Sequence, residues 1–209
     1  MMHADLPDGQ LSEAYSVSMD VLFDSPVVRV RQPGKILPTQ AKYEIFDDRR
    51  NRLASATETD KRTRLQILKA TLPTTPPANA RILTVTAAGE DPILLLTRHP
   101  DGRLSEVHQP DGGLVGRILA TGTTRHYSLT DDREQVVAEI VGELSLKHFN
   151  VTGSSGARIA HLSKTWAGPV KEWLTPADNY KVTFTGPAPE PARTLIVMTA
   201  IVLDLALYE

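Results

Sequence analysis

The sequence predicts a mainly β domain, a closed barrel or a sandwich, with one helix buried at its C-terminal end. Three observations predict it: alternating runs broken by turn signals, a hairpin-sized unit that recurs, and a short apolar segment at residues 195–207. At 209 residues, with 41% hydrophobic and 23% charged residues, the chain suits one large domain. Its composition argues against global disorder.

The first 24 residues carry Asp5, Asp8, Glu13, Asp20 and Asp24 without a lysine or arginine. They read as a flexible acidic leader over residues 1–25, ahead of a single domain at 26–209. The leader has neither the basic nor the apolar stretch of a secretory signal, so the protein is expected to be intracellular. The run VVRVR (residues 27–31) alternates apolar and basic residues, as a half-buried strand does. The runs RILTVTA (81–87) and PILLLTR (92–98) flank Gly89 and read as a hairpin. HPDG (99–102) and QPDG (109–112) are turns, with proline presetting φ and glycine supplying positive φ. Residues 60–70 are ambiguous between helix and strand, residues 73–80 form a proline-rich loop, and residues 167–178 a short connector.

The repeat is the most informative feature. YEIFDDRRNRLASA (43–56), YSLTDDREQVVAEI (127–140) and FNVTGSSGARIAHL (149–162) superimpose without gaps. The aromatics Tyr43, Tyr127 and Phe149 coincide, as do Ile45, Leu129 and Val151, the turn residues Asp47, Asp131 and Gly153, and Ala54, Ala138 and Ala160. VHQPDGGLVGRI (107–118) reads as a shorter copy with a tighter turn. Each unit is strand, polar turn, strand. One hairpin cannot bury its own apolar face, so several must share a core.

The segment LIVMTAIVLDLAL (195–207) is apolar on every face except at Thr199 and Asp204. As a helix it is about 20 Å long, too short for a bilayer core of about 30 Å. A short helix apolar all round belongs inside a protein. Leu195, Ile196, Val197, Ile201 and Val202 are its expected core residues. Asp204 fits there only with a hydrogen-bond or cationic partner.

The residues exclude several chemistries. There is no cysteine, hence no disulfide, thiolate site or cysteine nucleophile. No phosphate-loop, dinucleotide-binding, zinc-protease or serine-nucleophile motif occurs, so the chain reads as non-enzymatic and without a cofactor. The six histidines are dispersed; His99 and His108 face one another across a hairpin but read as exposed strand or turn residues, not metal ligands. Gly153 to Gly156 and the pairs Asp47-Asp48 and Asp131-Asp132 read as turns. A net charge of −2 gives no reason for a nucleic-acid partner. Within it, residues 25–70 hold eleven basic residues against five acids. Arg49, Arg50 and Arg52 crowd the first hairpin turn, and Lys61, Arg62 and Arg64 follow. Guanidinium groups grip phosphate through paired hydrogen bonds, which makes these six the candidates for binding phosphate or anionic lipid.

Four stretches carry a resemblance to the phospholipid scramblase and LURP-one-related family. They are YEIFDD (43–48) with residues 54–58, GGLVGRI (112–118), Lys164-Thr165-Trp166 with Ala177-Asp178-Asn179-Tyr180, Val182 and Phe184, and residues 195–209. The resemblance covers residues 26–209. It implies a tubby-like closed barrel of about twelve strands around the C-terminal helix. It also implies a phospholipid or phosphoinositide partner, peripheral at the cytoplasmic membrane face; the alternatives are genuine lipid scrambling, or a soluble barrel for a small ligand or a protein. The segment resembling the scramblase calcium stretch keeps one acid, Asp178, between Pro176 and Pro187. Calcium takes six to eight oxygen ligands, so no calcium site is expected.

Overall fold

The computed structural model describes residues 23–33, 40–59, 77, 79–88, 91–122, 125–165 and 179–207. Most of the leader, the segment 60–76 with Lys61, Arg62 and Arg64, and the connector 166–178 with Trp166 and Asp178 lie outside the described residues.

Twelve strands run in chain order: β1 (Val27–Arg31), β2 (Lys42–Phe46), β3 (Arg52–Glu58), β4 (Arg81–Ala87), β5 (Pro92–Arg98), β6 (Leu104–His108), β7 (Leu114–Ala120), β8 (His126–Asp131), β9 (Val136–Gly142), β10 (His148–Gly153), β11 (Arg158–Thr165) and β12 (Asn179–Phe184). A helix follows β12, α1 (Ala192–Leu207), the one helix among the described residues. Each strand pairs antiparallel with its neighbour in sequence, and β1 closes the barrel on β12. Closure leaves no sheet edge exposed.

The repeat corresponds to the hairpins β2–β3, β6–β7, β8–β9 and β10–β11. In each, the strand register shifts by one residue beside the turn. The turn bonds are equivalent: Asp47 N–H donates to Asn51 O, Gln109 N–H to Gly113 O, Asp131 N–H to Gln135 O and Gly153 N–H to Ala157 O. The turn at Gln109 therefore has the span of the other three, and the expectation of a tighter one does not hold. Each turn ends in a left-handed residue before the bulge, as this hairpin class requires: Arg50 (φ 67°), Gly112 (94°), Glu134 (64°) and Gly156 (79°).

The repeat also has a packing meaning. Ile45 pairs with Ala54, Val107 with Gly116, Leu129 with Ala138 and Val151 with Ala160. The interior thus has a small residue at the same point of all four hairpins. At Gly116 that space is taken by α1. A Cβ added at Gly116 would stand 2.8 Å from Leu195 Cδ1 of the helix and collide with Thr130 O. From Leu195 to Leu205 every residue of α1 is buried, as the all-round apolar pattern predicts. Thr199 returns its hydroxyl to Leu195 O at 2.7 Å. Asp204 accepts a 2.7 Å hydrogen bond from the Tyr43 hydroxyl, which supplies the partner that its burial demands. Burial, and then the neighbouring Asp204, push the Tyr43 hydroxyl well above its usual pKa.

The helix starts three residues before the apolar run. Its first turn uses Arg193 and Thr194, whose guanidinium and backbone N–H respectively find partners nearby. Glu190 accepts from Thr194 N–H at 3.1 Å. Arg193 donates to Phe23 O and Ser25 O and lies 4.0 Å over the Phe184 ring, which ties α1 to the start of β1. Among the described residues, no helix is long and apolar enough to cross a membrane.

Candidate functional site

Alternation along a strand sends odd and even residues to opposite faces. In β1, Val28 and Val30 point into the core, so Arg29 and Arg31 face outward. Barrel closure then decides their neighbours. Arg29 stands between Phe46 of β2 and Lys181 of β12; Arg31 stands between Glu44 and Asn179. Asn179 pairs in turn with Thr165 of β11. The Arg50 turn closes over the same face. The result is a groove of about 340 Å³ lined by Arg29, Arg31, Arg50, Phe46, Thr165 and Asn179.

The groove is rich in cations, and Glu44, opposite Arg31 in register, is the neighbouring acid. Among the described residues, no side chain forms an ion pair or hydrogen bond with the guanidinium of Arg29, Arg31 or Arg50. The Nε of Arg29 is buried and without a hydrogen-bond partner. A buried donor left unsatisfied costs about 1–3 kcal/mol. Three guanidinium groups converging on a concave surface, with an amide and a hydroxyl at its rim, offer donors to an anion with several oxygens.

Of the six basic residues singled out in the sequence, Arg50 lines the groove. Arg49 and Arg52 are exposed at the same hairpin and do not line it. Lys61, Arg62 and Arg64 lie outside the described residues. Arg29 and Arg31 were not among the six, although VVRVR displays them on one face. Thr165 and Asn179 are described ends of the stretch that carries the family resemblance most clearly, and they pair directly.

Two further polar clusters lie elsewhere on the barrel's outer face. Glu106 of β6 is approached by His99 Nε2 at 3.3 Å, His108 Nε2 at 3.8 Å and Arg117 Nε at 3.2 Å. His108, His99 and Arg117 together lower its carboxyl to a pKa of about 2. The 3.8 Å approach of His108 is too long for a hydrogen bond. His99 and His108 thus meet on a carboxylate, and His108 is buried, not exposed as expected; its Nδ1 lies 3.2 Å from Gly112 O. On β10 and β11, His148 and His161 stack with ring centroids 5.4 Å apart. Burial, then His148, lower the pKa of His161. The acidic turns do what turn aspartates do: Asp47 accepts from Asn51 N–H at 2.7 Å, and Asp131 from Arg133 and Gln135 N–H.

Comparison with known proteins follows the same lines. The family model described as Scramblase matches residues 37–209. A protein of Arabidopsis thaliana, known from its X-ray structure, superposes with a TM-score of 0.50 at 16% identity, covering 88% of this chain and 97% of its own. At that identity the likeness concerns the fold alone. No curated protein matches the sequence.

Proposed function

We propose, from the premise that this chain belongs to the scramblase family, that its barrel holds anionic phospholipid head groups in the arginine groove. It does so peripherally, at the cytoplasmic face of a membrane and without catalysing a reaction. The observation that carries this reading is the convergence of Arg29, Arg31 and Arg50, free of acidic partners among the described residues, on one concave surface. A head-group phosphate would supply the acceptors these guanidinium groups lack. The interior of the barrel is filled by α1, which leaves the outer face as the surface for a ligand.

The test is co-sedimentation with neutral, phosphatidylserine and phosphoinositide vesicles, with and without calcium, at low and moderate salt. The expected result is calcium-independent, salt-sensitive binding to the anionic vesicles. Each cation near such a surface contributes about 1 kcal/mol, so Arg29→Ala/Arg31→Ala should weaken binding roughly 30-fold. Arg49→Ala, outside the groove, should cost less than Arg50→Ala. Absence of binding to every vesicle at low salt, or binding indifferent to Arg29 and Arg31, would overturn the proposal.

A further inference from the structure

We infer that Leu144 is an apolar tip that enters the bilayer while the arginine groove holds a head group, so that the barrel docks by one end. The inference rests on the head-group reading above and adds the orientation.

Leu144 is 87% exposed, in the turn between β9 and β10. Single surface leucines are common and need no explanation. This one has three further features. First, the turn is built to present it. Glu143 N–H donates to His148 O, Leu146 N–H to Glu143 O, and Leu146 takes a left-handed φ of 54°. Leu146 packs on the core, so one leucine anchors the turn and the other is held outward. Second, basic residues adjoin it. Lys147 follows in the turn, and its carbonyl accepts from Lys164 N–H at 2.7 Å; Arg125 O accepts from Gly142 N–H. Glu143 is the acid of the turn. Third, the tip is continuous with the groove. Lys164 precedes Thr165, which lines the groove opposite Asn179 and Arg31. An exposed aliphatic tip flanked by cations and adjoining a phosphate-sized cationic groove is complementary to an anionic lipid surface: charge to head groups, apolar tip to acyl chains. Val141, 42% exposed on the adjacent strand end, extends the apolar surface.

The absence of cysteine in the chain makes the test clean. Leu144→Cys and, at the far end of β9, Val136→Cys are each labelled with an environment-sensitive fluorophore and mixed with phosphatidylserine vesicles. The expected result is a blue shift and brightening at position 144 and none at 136. In parallel, Leu144→Asp should weaken vesicle binding by about tenfold, the value of one partly inserted leucine, and leave binding of a soluble inositol phosphate unchanged. Vesicle binding by the wild-type chain with no spectral change at 144 would overturn the tip and leave the groove standing. Absence of vesicle binding would overturn both. A blue shift that grows with protein concentration without vesicles would assign Leu144 to a second copy of the chain and overturn the bilayer.

Discussion

Arg50 combines two properties that conflict if stability alone is considered. Its φ of 67° lies where glycine is at ease and other residues are strained by about 1 kcal/mol or more. The equivalent positions hold Gly112 and Gly156 in two of the other three hairpins. A long charged side chain at this point is a cost to the fold that a binding role would justify. Arg50→Gly is therefore expected to raise stability by about 1 kcal/mol while weakening binding to anionic vesicles; denaturant unfolding and co-sedimentation on the same preparation measure both. Loss of stability in that variant would show that the Arg50 side chain supports the barrel. Glu106 offers a pH test. Its carboxyl titrates at about 2, below the ordinary 4.5. A depressed carboxylate contributes stability above its unfolded pKa and loses it as pH falls toward the folded one. The melting temperature should therefore decline between about pH 4.5 and pH 2, and Glu106→Gln should flatten that limb; an unaltered limb would place the acid sensitivity elsewhere. The sequence exposed Arg50 because charge clusters are local. Arg29 and Arg31 escaped because their neighbours Lys181 and Asn179 lie about 150 residues downstream, and barrel closure alone brings them together.

The hairpins were legible for the same reason that the groove was not: strand, turn and returning strand are contiguous, and turn chemistry is written in a few adjacent residues. What the repeat was for could not be read at that level. Ala54, Gly116, Ala138 and Ala160 look like ordinary small residues until the register sets each opposite a large core residue of its hairpin. Gly116 is the sharpest case. Its missing Cβ would meet the Thr130 carbonyl, a backbone atom held in the β7–β8 ladder, and Leu195 of the helix. Relaxation there must move a strand or the helix, so Gly116→Ala is expected to destabilise by about 3 kcal/mol or more. The denaturant midpoint should fall with little change in slope; an unchanged midpoint would mean that helix and barrel are packed more loosely than the described contacts require. The helix itself was read correctly as buried, because thirteen nearly all-apolar residues are too few to span a bilayer and must hide every face inside a protein. Its true start at Ala192 was missed because hydropathy marks the apolar run and not the capping by Glu190.

At the scale of the molecule, the charge is arranged along the barrel axis. One end gathers Arg31, Lys42, Arg103, Arg125, Lys147 and Lys164, against few acids. The chain enters and leaves the segment 60–76, which carries Lys61, Arg62 and Arg64, at this same end through Thr59 and Pro77. The other end, where the repeat turns lie, gathers Asp24, Asp47, Asp48, Asp91, Asp111, Asp131, Asp132 and Glu134, with Arg49, Arg50, Arg52, Arg133 and Arg158 among them. The net charge of −2 conceals this polarity, because a sum over the chain carries no geometry and alternate hairpin ends fall on opposite sides. A polarised barrel near an anionic surface turns its basic end inward, since the attraction falls off within a Debye length of about 8–10 Å. Two variants with the same net charge separate orientation from bulk charge. Lys42→Gln/Arg103→Gln removes two positive charges from the basic end, and Ser154→Glu/Ser155→Glu adds two negative ones to an exposed turn at the other. Both lower the net charge by two. If the barrel docks by its basic end, the first should weaken binding to phosphatidylserine vesicles by tenfold or more and reduce its salt dependence. The second, in the β10–β11 turn at the end away from Leu144, should cost clearly less than the first. Equal losses would mean that the chain responds to the field as a featureless anion, and neither the groove nor the Leu144 tip would then have a preferred face to act from.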